Sequence, residues 1–73
     1  MTAREQVDVA FDEMVHYENR MIEHKRAKLQ AQCDGKPQET IDVFDELIDG
    51  AEALYKLARE RRSAAVKAMR SER

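Results

Sequence analysis

Apolar residues recur along this chain at separations of three and four in two long runs divided by one polar break. The first run holds Val7, Phe11, Met14, Val15, Met21, Ile22 and Leu29. The second holds Ile41, Phe44, Leu47, Ile48, Ala51, Leu54, Tyr55, Ala58, Ala65 and Met69. Such spacing is the period of a helix and not the alternation of a strand. The break is Cys33-Asp-Gly-Lys-Pro37, where Gly35 suits the left-handed position that ends a helix and Pro37 suits the first turn of the next. Thr2-Ala-Arg-Glu5 spells a capping box, with the Thr2 side chain satisfying the Glu5 amide and Glu5 reaching back. Gly50 interrupts the second run at a cost of about 1 kcal/mol relative to Ala, which a well-packed helix tolerates. The pattern predicts an all-α domain over residues 1–73, with helix one at about 3–33, a turn at 34–37 and helix two at about 38–70.

Charge placement predicts how the two helices lie. Residues 1–18 carry Glu5, Asp8, Asp12, Glu13 and Glu18 against Arg4, and residues 19–33 carry Arg20, Lys25, Arg26 and Lys28 against Glu23. The second helix repeats the gradient from Glu39, Asp42, Asp45, Glu46, Asp49 and Glu52 to Lys56, Arg59, Arg61, Arg62, Lys67 and Arg70. Each gradient complements the dipole of its own helix. Folded back on a short loop, the acidic start of either helix also lies beside the basic end of the other, so an antiparallel hairpin is expected.

Ala51, Ala58 and Ala65 repeat every seven residues, a spacing that implies left-handed coiled-coil packing with a small residue in each heptad for close approach. Two helices alone cannot bury apolar faces this wide. A 73-residue chain removes only roughly 60 % of its unfolded surface from water when it folds alone. The expectation is a homodimer of hairpins closing into a four-helix bundle.

Within the first run, the row Val15, Glu18, Ile22, Lys25 and Leu29 reads as the buried seam, which places a carboxylate and an ammonium among apolar residues. Antiparallel counting sets Glu18 near Ala51, Leu54 and Tyr55, and Lys25 near Asp45 and Glu46. Glu18 and Lys25, with Tyr55 and the alanines 51, 58 and 65, are therefore expected to fix register and partner, as isolated polar residues do in coiled-coil seams.

Composition narrows the function classes. The chain is 38 % charged and 42 % hydrophobic with no Trp, and its net charge of −2 creates no global field toward nucleic acid or an anionic membrane. A single cysteine, Cys33, fits a reducing, cytoplasmic setting. The N-terminus lacks the apolar core of a signal peptide, and no apolar run approaches the ~20 residues of a membrane span. No Gly-rich phosphate loop, nucleophile beside a His or convergent carboxylate pair is present, so neither an enzyme nor a cofactor is expected.

Three motifs carry other chemistry. Glu13 and His16 have the Glu-x-x-His spacing of metal-binding bundles, but the helical wheel turns both toward solvent, so no metal is expected there. Tyr17, Met21, His24 and Lys28 form a stripe beside the seam. With Arg20, its Tyr17, His24 and Lys28 offer stacking and positive charge to RNA. A second basic region runs from Lys56 to Arg62 and from Lys67 to Arg73.

The stretch Asp42-Val-Phe-Asp-Glu-Leu-Ile-Asp-Gly-Ala-Glu-Ala-Leu-Tyr-Lys56 resembles the second helix of the Rop (Rom) family of plasmid copy-number proteins, through its order Asp, Leu, Asp, Ala, acid, Leu, Tyr, base. The resemblance implies a helical hairpin that dimerises into a four-helix bundle and binds paired RNA loops along its first helices. Tyr17 and Lys28 would then fall near the aromatic and basic positions of that surface. Both helices here are longer, and the first begins acidic. The leading expectation is a small bacterial or phage regulatory or scaffolding module that works by protein-protein contact with a partner yet to be identified. An RNA-binding regulator and a metal-binding bundle are the alternatives.

Overall fold

The computed structural model describes residues 2–71, which form two α-helices, α1 (Ala3–Cys33) and α2 (Gln38–Ser71). Thr2 caps α1 with extended backbone, its Oγ1 accepting from the Glu5 amide at 3.2 Å. The Thr2 hydroxyl donates in turn to Glu5 Oε1 at 3.1 Å, so the carboxylate reaches back to the cap's side chain.

The other end of α1 closes in a Schellman motif. The Lys36 amide donates to the Ala31 carbonyl at 2.9 Å, and the Gly35 amide to the Gln32 carbonyl at 3.1 Å. Gly35 sits at φ +69°, a conformation that L side chains rarely adopt. Pro37 follows at once, and its carbonyl accepts from the amides of Thr40 and Ile41 at 3.0 and 3.3 Å to start α2. The connection therefore spends almost no chain, and α2 returns along α1 as a rod of 57 × 15 × 13 Å.

Cross-helix pairs set the register. Glu13 meets Arg61 at 3.1 Å and Lys28 meets Asp45 at 2.6 Å, so residue numbers fall on one helix as they rise on the other. Acid-to-base matching between antiparallel helices is thus realised at both ends of the rod. For α1 it acts mainly between helices: no basic residue occupies its last turn, where a dipole effect would be felt.

The seam itself is narrow. Its buried residues are Ala3, Ala10 and Ala31 on α1 and Ile41, Ala51, Ala58 and Ala65 on α2. Between them lie the half-buried Val7, Met14, Tyr17, Met21, His24 and Lys28 of α1 and Phe44, Ile48, Tyr55 and Met69 of α2. Counting from the two cross-helix ion pairs, most of the buried alanines stand within two residues of the level of a larger residue opposite. Ala65 lies near the level of Val7, Ala58 near Met14, Ala51 near Met21 and Ala31 near Ile41, whereas Ala10 comes beside Ala64 and Ala65. A small residue near a larger one lets the helices approach closely.

This corrects the expected seam of α1. The row Val15, Glu18, Ile22, Lys25 and Leu29 is exposed along its length, and the row one residue earlier packs against α2. A shift of one residue turns a helix by about 100°, so both rows have helical spacing and periodicity cannot choose between them. Charge makes the choice. Burying the first row would desolvate Glu18 and Lys25, whereas the row that is used holds only His24 and Lys28, and Lys28 reaches the rim to meet Asp45.

Two expected outcomes follow from this packing. Ala58 is 1 % exposed, so Ala58→Leu is expected to force the helices apart and lower unfolding stability by about 1–3 kcal/mol, read from chemical denaturation followed by circular dichroism. The glycines should respond in opposite directions. A β-carbon at Gly35 or at Gly50 would meet no atom within 4 Å, which leaves only backbone terms. Gly35→Ala is expected to cost about 1–2 kcal/mol for its left-handed conformation, and Gly50→Ala to gain about 0.5–1 kcal/mol inside α2.

Candidate interaction surfaces

Large apolar side chains lie outside the seam on both helices. Val9, Phe11, Val15, Ile22 and Leu29 on α1, and Val43, Leu47, Leu54 and Leu57 on α2, are 40–62 % exposed. Their geometry follows from the seam. On α1 the stripe Phe11, Val15, Ile22 and Leu29 is the seam row displaced by one residue toward the C-terminus. On α2 the stripe Val43, Leu47, Leu54 and Leu57 is displaced by one toward the N-terminus. In antiparallel helices these displacements point to opposite faces of the hairpin.

Cross-helix contacts agree with that assignment. The Arg61–Glu13 bond marks the face bearing Leu47 and Leu54, because Arg61 continues their heptad row. Arg62 lies over the Phe11 ring on the other face, 5.8 Å from its centroid. An open groove of about 360 Å³ runs along the Arg61 face between Val9, Ala10 and Glu13 on α1 and Arg61, Ala64 and Ala65 on α2. It exists because the seam at this level is made of alanines.

The residues expected to carry function are divided by this arrangement. Ala51, Ala58 and Ala65 are buried in the seam and Tyr55 is half-buried beside them. Glu18 and Lys25 lie outside on the Phe11 face, and neither makes a hydrogen bond or ion pair among the described residues. The acidic start of α2 is met by Lys28, which was expected on the RNA stripe, and not by Lys25.

That stripe is the hairpin's own seam. Tyr17, His24 and Lys28 are half-buried against α2, and of the four proposed RNA contacts only Arg20 is exposed. Glu13 holds Arg61, while His16 packs edge-on to Tyr17 with ring centroids 5.3 Å apart. Of the basic C-terminal region, Arg61 is engaged by Glu13 and Arg62 by Phe11, and residues 72 and 73 lie outside the described residues. Cys33 is free and exposed at the end of α1. No described helix is long and apolar enough to cross a membrane.

The feature that sequence reasoning missed is the face of α2 opposite to the α1 stripe. Its signal is present in the sequence, where Leu47 and Leu54 sit one position before Ile48 and Tyr55. No protein-family model matches the chain, and no curated protein or solved structure gives a significant match.

Proposed function

We propose that this chain is a non-enzymatic, homodimeric hairpin, closing into a four-helix bundle, that regulates or scaffolds through protein-protein contact. The observation that carries the reading is the amount of surface left in water. The hairpin exposes 5670 Å², whereas a compact monomer of 8.5 kDa exposes about 4,700 Å². The excess is roughly 1,000 Å² per chain, comparable with the ~800 Å² that each partner contributes to a stable interface.

Distribution of that surface supports association over chance exposure. The apolar residues recur in stripes at helical spacing, and exposed apolar patches mark interaction sites on small proteins. With two stripes on opposite faces, one copy covers one stripe and the second stripe remains for a protein partner. Regulation or scaffolding is the role open to a rod that presents such a surface without converting a substrate.

Solution mass tests the proposal directly. Sedimentation equilibrium across a dilution series is expected to give twice the 8.5 kDa chain mass, with helical content falling as the dimer dissociates. A monomer that keeps its full helical content and stability at every concentration would remove the basis for the reading.

A further inference from the structure

We infer that a second copy packs antiparallel against the Phe11–Leu29 stripe of α1 about a two-fold axis at Ile22, pairing Glu18 of each copy with Lys25 of the other. This rests on the homodimer proposed above and specifies which of the two faces the copy covers, and in which register.

The pairing follows from the order of residues along the stripe. A two-fold axis crossing α1 at Ile22 places Ile22 against itself and Val15 level with Leu29 of the second copy. The same operation brings Glu18 within one residue of the level of Lys25, once on each side of the axis. These are the two charged residues within the stripe, and both lack a partner within the hairpin among the described residues. An isologous interface requires such self-complementarity, because whatever stands on one side of the axis must suit its own reversed copy. A parallel pairing in register would instead bring Glu18 to Glu18 and Lys25 to Lys25.

Helix α2 supplies a second, independent match. On the same face of the hairpin its row one residue past the seam reads Asp45, Asp49, Glu52, Lys56 and Arg59, acid before base. The hairpin register puts residues 51 and 52 level with Ile22, so the axis sets Asp45 about level with Arg59 of the second copy and Asp49 within about two residues of Lys56, while Glu52, near the axis, is met by Lys56 of its own helix at 3.5 Å and Asp45 also meets Lys28. A two-fold axis perpendicular to paired antiparallel helices also keeps both α2 helices on one side of the α1 pair. Four helices then close into a bundle whose apolar contact runs along α1 and whose charged contact runs along α2. The Leu47 and Leu54 face is left on the outside of each hairpin.

Charge reversal tests the pairing, with the dimer dissociation constant measured by sedimentation equilibrium and helicity by circular dichroism. Glu18→Lys and Lys25→Glu alone are each expected to weaken the dimer about tenfold, since each replaces two attractive pairs with two repulsive ones. The double variant is expected to return to the wild-type constant. Net charge does not produce this pattern: the first substitution raises the chain's −2 by two and the second lowers it by two, so a general charge effect would drive the two in opposite directions. Leu54→Glu, on the opposite face, is expected to leave the constant unchanged. A wild-type dimer indifferent to both single reversals, or one abolished by Leu54→Glu, would overturn this interface and leave the homodimer standing. A wild-type monomer would overturn both.

Discussion

Everything in this molecule depends on a seam lined by alanine. Ala3, Ala10 and Ala31 on one helix and Ala51, Ala58 and Ala65 on the other let the two backbones approach closely. Close approach gives dense packing, but it buries little apolar area per residue, because most large side chains cannot enter so narrow a contact. Hydrophobic stabilisation scales with area removed from water, at roughly 25 cal/mol per Å². The seam therefore orders the hairpin while leaving it short of the burial that a chain of this size needs, and Phe11, Ile22, Leu29, Leu47 and Leu54 remain in water as a consequence.

The electrostatics work at a coarser level. Individual exposed ion pairs such as Lys28–Asp45 and Glu13–Arg61 contribute on the order of 0–1 kcal/mol each, too little to hold a fold. Their value is in selecting one arrangement: with acid leading base in both helices, a parallel alignment would oppose like charges along the whole rod. The same gradient recurs on the outer row of α2, where within one hairpin Asp45 meets Lys28 and Lys56 meets Glu52. Glu18 and Lys25 differ from that row: they are charges in an otherwise apolar stripe with no intramolecular partner among the described residues. Unused complementarity of this kind makes a second copy a more economical occupant of that face than an unrelated protein.

Much of the fold was legible from residues alone. The Gly35 turn, the Thr2 cap and the helical period of both runs each rest on local chemistry within four residues, and the antiparallel arrangement rests on charge order along the chain. What sequence could not decide was rotation. Met14, Tyr17 and Met21 form a helical row, and so do Val15, Ile22 and Leu29, about 100° away around the same helix. By sequence the second row reads as the buried seam, with Glu18 and Lys25 as its register residues.

The sequence by itself determined two helices, the point at which the chain reverses, and the order in which acid and base meet, because those depend on neighbours along the chain. Only the tertiary structure decided which row of each helix turns inward. That choice depends on what stands opposite: the alanines of α2 accept methionine and tyrosine from α1, and the cost of desolvating Glu18 and Lys25 keeps their row outside. Once that rotation is set, the two apolar stripes fall on opposite faces, and the surface available for contact with other molecules is set with them.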